Sequence, residues 1–264
     1  MPEFSIPILD WASNAGGYSH VPIDVRDVRA IDALVRVHQC GIASESFYAR
    51  TDGGNDPYNA PIDGSLPDVW CRSSVAEKLA EVNRRLRMFG KELFVWDAYR
   101  PIATQQGLWS HWEEKTVRRM PAATPDQVRD KVLEYVSDPR SFRRDNSTTW
   151  PVHSSGGAVD LTTRSLDTGE LDDMGCGFDQ MGDICHSDHF ERLALKQHGE
   201  AVSVSLNARR LLHWAMNSEG FVNYPPEYWH FDWGDQMYVH HLSLLTEQAP
   251  SAAWYGYIDS PTYA

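Results

Sequence analysis

The chain has 264 residues, 42% of them hydrophobic, with ten tryptophans and a formal net charge of -13. That is a globular composition with material for a sizeable core. The acidic balance excludes nucleic acid and anionic membrane as partners, because phosphate binding needs clustered Lys and Arg. Four dispersed cysteines (Cys40, Cys71, Cys176, Cys185) form no CxxC pair, so reduced thiols are expected rather than a disulfide framework. The N-terminus shows no basic start followed by an apolar run, and no stretch approaches about 18 apolar residues. A cytoplasmic protein is expected, with no nucleic-acid or membrane partner.

Residues 1–30 read as extended surface chain, and 30–37 are too short to assign. Between Ser46 and Asp68 three prolines and three glycines are spread over a long loop, whose Tyr48 and Tyr58 are candidates to line a pocket. Ser74 and Glu77 form a capping-box pattern, followed by Val75, Leu79, Val82, Leu86 and Phe89 on one helical face, with Gly90 as the stop. Leu93 to Trp96 reads as a strand that delivers Asp97 and Arg100. Pro101 then opens a helix to about Met120, with Leu108, Trp112 and Val117 facing inward. Thr124-Pro125-Asp126-Gln127 starts another helix, running to about Val136.

The stretch from Trp150 to Thr163, WPVHSSGGAVDLTT, carries the first chemistry. Gly156 and Gly157 permit a tight turn, and Ala158 to Thr162 reads as a strand by its β-branched and apolar content. His153 and Asp160 thus lie on either side of one turn. A buried carboxylate needs an ion pair or a metal, and His with Asp supplies two of the three protein ligands of an open zinc site. Residues 166–170 are turn chemistry, 172–189 a glycine-rich loop, and 207–218 a helix with Leu211, Leu212, Ala215 and Met216 buried. Residues 221–224 and 229–233 read as a hairpin. His240 and His241 are expected to be solvated, and the tail from residue 248 offers little pattern. In the hairpin, His230 is a third candidate ligand, and Glu227, three residues earlier, a candidate general base. Cys176, Cys185, His186 and His189 match no familiar zinc spacing.

HSSGGAVDLT and EYWHF together resemble the VanX-type D-alanyl-D-alanine dipeptidases, zinc peptidases of family M15 in the wider D-Ala-D-Ala carboxypeptidase and hedgehog-like group. WDAYRP (96–101), LDTGELDDMGCGFDQM (166–181) and EGFVNYPPEYWHF (219–231) extend the likeness, in order, over about residues 93–231. The first 70 residues and the tail match poorly, and 184–206 contain extra chain. No internal repeat or low-complexity linker divides the chain, so one domain (1–264) is expected. The resemblance implies an α+β fold, with a mostly antiparallel central sheet, helices packed on it and the metal at its surface. It implies one Zn2+ held by His153, Asp160 and His230, with Glu227 as general base and acid. Arg100 would stabilise the oxyanion, and Asp179 would bind the substrate's α-amino group. Tyr48 and Ser154 are added as this chain's own candidate substrate contacts. The partner would be a small dipeptide, and homo-oligomerisation is left open. Pro151 departs from the family, which commonly carries serine there, so a different D-amino-acid dipeptide or cell-wall peptide is the alternative substrate. A non-catalytic zinc module is a third reading.

Overall fold

The computed structural model describes residues 4–9, 17–196 and 203–261. Its centre is a five-stranded sheet in the order β2-β4-β5-β7-β6, formed by β2 (Ala43–Ser44), β4 (Lys91–Asp97), β5 (Ala158–Ser165), β6 (Val222–Asn223) and β7 (His230–Asp232). Only the β2–β4 pair is parallel, so the sheet is mostly antiparallel and the class is α+β. A separate antiparallel pair joins β1 (Leu34–Arg36) to β3 (Trp70–Arg72), which gives the unassigned stretch after residue 30 a strand partner.

Helix α1 (Ser73–Leu86) buries Val75, Ala76, Leu79, Val82 and Leu86. It packs on β4 and on α5 (Ser203–Asn217), which also contacts β5 and β6. Val159 and Leu161 of β5, with Leu93 and Val95 of β4, join the same hydrophobic core. The Ser74 capping box does not form. The N-cap lies two residues earlier, at Arg72, with no side-chain cap bond. The Ser74 hydroxyl instead meets the Tyr255 hydroxyl at 2.5 Å. The Thr124 box does form at the start of α3 (Pro125–Val132), where Thr124 and Gln127 exchange side-chain and backbone hydrogen bonds. Helix α2 (Ile102–Arg119) follows Pro101 as expected and buries Thr104, Leu108, Trp112 and Thr116 in one row of spacing four, and Val117, off that row, is 49% exposed.

One more expectation is corrected, that of a solvated His241, and two stretches left unassigned gain structure. Residues 236–245 form α6 (Gln236–Leu245), capped by Asp235, which accepts from Tyr238 N. His241 on that helix is buried, stacked on Tyr224, rather than solvated. The tail is core: Ala253, Trp254 and Tyr255 are almost fully buried, and Ala253 bridges to Ile23. Within the extra chain at 184–206 lies α4 (His189–Lys196), while 197–202 fall outside the described residues.

Candidate active site

Sheet register assembles the site. Asp160 on β5 is paired with His230 on β7 and with Asp97 on β4. Residues directly opposite across antiparallel strands share a face, so three polar side chains form a row across the middle of the sheet. Asp97 reaches this row through an irregularity between Val95 and Asp97. The extra residue, Trp96, shifts the strand by one, and a one-residue shift moves the following side chain to the other face. His230 and Asp232, two apart on β7, share a face as strand geometry requires.

His153 enters from a single helical turn, Val152–Ser155, that stops at Gly156. Gly156 has φ of 73°, the left-handed region where glycine is tolerated without strain. At Gly157 a Cβ would lie 2.5 Å from the Trp233 carbonyl oxygen. That tight approach explains the second glycine, and Trp233 N donates to Gly157 O across it.

Donor atoms of His153, Asp160 and His230 all lie within 4.8 Å of one another, and all three residues are buried. His153 Nδ1 donates to the Ala98 carbonyl at 2.8 Å, which turns Nε2 toward Asp160 Oδ2, 3.5 Å away. His230 places Nδ1 3.0 Å from Asp160 Oδ1 and Nε2 2.9 Å from Asp232 Oδ1. Each imidazole therefore keeps one nitrogen for the centre while its other nitrogen is oriented by a carbonyl or carboxylate, the usual support of a metal-binding histidine. Burial and Arg100 hold His153 down at about 3, so its lone pair is available. Burial opposes charge on His230, but Asp232 and Asp160 outweigh it and raise His230 well above its ordinary value. The proton this favours on Nδ1 sits where a cation would displace it. Two imidazoles and a carboxylate within reach of one point suit Zn2+.

Around this centre the cleft encloses about 210 Å³. Its lining includes Arg100, Asp179, Glu227, Tyr48, Tyr58 and Pro151. Glu227 Oε2 lies 3.8 Å from His230 Nδ1. Burial, with Asp160 and Asp179 adding repulsion against the pull of His230, lifts its carboxyl to about 7. Arg100 donates from Nε to Asp97 Oδ2 at 2.9 Å and from Nη1 to Gln105 Oε1 at 3.1 Å. Its Nη2 lies 3.3 Å from Tyr48 Oη and 3.5 Å from Asp160 Oδ2. Asp179 Oδ2 accepts from Tyr58 Oη at 2.5 Å and from Tyr48 Oη at 3.3 Å. Burial raises its carboxyl to about 6 although both hydroxyls oppose the shift. Trp112 Nε1 donates to Tyr58 Oη at 3.3 Å and so fixes that ring from behind.

The expected residues converge, with one exception. Ser154 is fully buried, its hydroxyl donates to the Pro151 carbonyl at 2.6 Å, and it does not line the cleft. Sequence reasoning missed Asp232, Tyr18, Gln105 and Trp112. Asp232 was findable, being two residues after His230 on an expected strand. Tyr18 was not, because nothing local marks a residue in an irregular N-terminal segment as part of the cleft wall.

Residues 68–247 match the family model of peptidase M15, described as D-ala-D-ala dipeptidase. The chain belongs to this family. Among similar proteins, a D-alanyl-D-alanine dipeptidase of Streptomyces coelicolor is 30% identical over 208 residues, covering 78% of this chain and 90% of that one. One from Synechocystis is 30% identical over 174 residues, covering 64% and 70%. One from Enterococcus faecalis is 28% identical over 201 residues, covering 75% and 89%. The solved structure of VanYB in complex with D-Alanine-D-Alanine aligns with 73% of this chain and 92% of its own at a TM-score of 0.41 and 15% identity, too distant to add to the assignment. The M15 dipeptidase family is a peptidase family, and the ordered motifs at 96–101, 153–181 and 219–231 all fall inside the matched span.

Proposed function

We propose that this M15 peptidase is a zinc-dependent dipeptidase that hydrolyses D-alanyl-D-alanine or a closely related small dipeptide with a free amino terminus. The observation that carries this reading is one cleft holding three groups of different chemistry. They are the buried His153–Asp160–His230 set, a carboxyl at Glu227 poised near neutrality, and a carboxylate at Asp179 held by the Tyr58 and Tyr48 hydroxyls. His153, Asp160 and His230 would hold the ion, one per chain. Zinc bound there supplies Lewis-acid polarisation of a carbonyl and of a water molecule.

This chain's residues do the rest. Glu227 takes a proton from the attacking water as its oxygen adds to the amide carbon, then delivers that proton to the departing amine. A carboxyl near 7 suits both transfers at neutral pH. Arg100, fixed by Asp97 and Gln105, presents a permanent positive charge to the oxygen that becomes negative. Asp179, aimed by Tyr58 and Tyr48, receives the substrate ammonium, a pairing that an N-acylated peptide cannot make. Retention of a base and a guanidinium beside the triad argues against a merely structural zinc, which needs neither. A second substrate reading, a different D-amino-acid dipeptide or cell-wall peptide, is favoured by Pro151. It stands in the cleft wall and offers neither a hydroxyl nor an N–H.

The test is amino-acid release from D-Ala-D-Ala, L-Ala-L-Ala and N-acetyl-D-Ala-D-Ala, with and without a chelator, alongside metal analysis. Chelator-sensitive release from the free D,D-dipeptide alone is expected. Release that survives complete metal removal would overturn the zinc assignment, and equal cleavage of the N-acetyl compound would overturn the role of Asp179. If other D-amino-acid dipeptides are cleaved in place of D-Ala-D-Ala, the second reading stands.

A further inference from the structure

Behind the cleft, two cysteines bracket the segment that carries Asp179. Cys176 is partly exposed, Cys185 is buried, and their Sγ atoms are 3.2 Å apart. Shared partners hold both backbones. Tyr228 donates its N–H to Cys185 O at 2.9 Å and its hydroxyl to Cys176 O at 3.3 Å. Arg209, 1% exposed, ties the two flanks of the segment together. It donates from Nε to Met174 O at 2.8 Å, from Nη2 to Ile184 O at 2.7 Å and from Nη1 to His186 O at 2.7 Å. The same Nη2 lies 3.4 Å from Cys176 Sγ. A guanidinium against a partly exposed sulfur favours its thiolate.

We infer that Cys176 and Cys185 are a modification site: they form a reversible disulfide that closes a ring around Phe178 and Asp179. A disulfide requires the sulfurs at about 2.05 Å, so roughly one further ångström of approach is needed, within the reach of side-chain rotation. The reaction takes a small-molecule disulfide such as oxidised glutathione as oxidant. Cys176 thiolate attacks one of its sulfurs, breaks the S–S bond and expels one glutathione thiolate. Cys185 then loses its proton to solvent and attacks the Cys176 sulfur of the mixed disulfide, expelling the second glutathione. Two protein thiols are oxidised and one disulfide is reduced to two thiols. The roles follow from placement: Cys176 is the exposed attacker beside a cation, and Cys185 is the enclosed resolver, whose Sγ now donates to Gln180 O at 2.9 Å.

The proposal is independent of the hydrolytic reading, and its test requires no turnover. The full-length protein is equilibrated in glutathione buffers from reducing to oxidising, quenched in acid, alkylated and mapped by peptide mass spectrometry. The expected result is a peptide pair joined through Cys176 and Cys185, with loss of two of the four alkylatable thiols, reversed by excess reduced glutathione. Cys185→Ser is expected to abolish the linked pair and leave a glutathione adduct on Cys176, while Cys40→Ser leaves the pair intact. A Cys40–Cys71 link in its place, a persistent wild-type adduct on Cys176 with Cys185 still alkylatable, or four free thiols in every buffer would each overturn it.

Discussion

Arg100 is held by four partners before any substrate arrives: Asp97, Gln105, Tyr48 and Asp160. A side chain so constrained loses little freedom when it meets a developing charge, which is the condition for electrostatic stabilisation of a transition state. Arg100→Lys keeps the charge but loses the planar fork. We expect kcat to fall by about 10²–10³, as for other single oxyanion donors, with zinc content and KM little changed; a near-normal kcat removes Arg100 from the reaction. Glu227→Gln is expected to keep its zinc and lose nearly all turnover, measured by metal analysis and single-turnover kinetics on the same sample. Asp179 gives a pH dependence with a definite sign. Its carboxyl, lifted to about 6 by burial, must be ionised to hold an ammonium group. KM for the free dipeptide should therefore rise as pH falls through about 6, and Asp179→Asn should give a high KM that no longer follows pH over that range.

At the scale of elements, the irregularity in β4 and the glycine turn before β5 do the positioning. Gly157→Ala places a methyl against the Trp233 carbonyl. Overpacking of this kind costs about 1–3 kcal/mol, so a lower urea midpoint is expected, with a loss of zinc affinity as His153 shifts. Asp232→Asn tests the support of His230 from the far side of the ring. Loss of such a carboxylate typically weakens metal binding by about 10–100-fold, and a chelator competition titration reads it directly. Helix α6 supplies a stability prediction. Burial, with His240 and His230 nearby, holds His241 at about 3, well below its value in an unfolded chain. A depressed histidine contributes stability that is present above its unfolded pKa, near 6.5, and is lost as pH falls from there toward 3. His241→Phe should flatten the part of that decline that His241 causes, as measured by denaturant midpoints across the range.

For the whole molecule, the cluster of candidate site residues was more legible in the sequence than the frame around it. His153, Asp160, Glu227 and His230 were legible because each sits beside a local cue: a glycine pair, a β-branched run, an aromatic strand. The α1 and α2 cores followed from helical spacing. Other features depended on contacts between distant residues. No local cue pairs Tyr58 with Asp179 across 121 positions, marks Trp96 as the extra residue of a bulge, or says that a tail rich in Ser, Ala and Tyr is core. In that tail, Trp254 closes over Gly234, where a Cβ would come within 2.4 Å of the indole. Trp254→Ala should therefore cost about 3–5 kcal/mol in denaturant unfolding, the range for a buried large aromatic; a smaller loss would make the tail an accessory cover.

The crowding of acids in and behind the cleft has an energetic meaning for the fold. Asp97, Asp160, Asp179, Glu227 and Asp232 face one guanidinium and two imidazoles, and burial drives Asp97 and Glu227 to about 7 and Asp179 to about 6. Like charges gathered in a low-dielectric interior oppose folding. This heart of the protein is electrostatically frustrated, and a divalent cation at its centre is the natural counter-ion. On the proposed reading, activity and thermal endurance would be coupled through a single bound ion. At a free zinc concentration of 100 times Kd, binding adds roughly 2.7 kcal/mol to the folded state, so chelation should lower Tm in calorimetry as well as abolish turnover. On the proposed reading, the same excess of negative charge would favour entry of the ammonium end of a dipeptide over phosphate and other small anions.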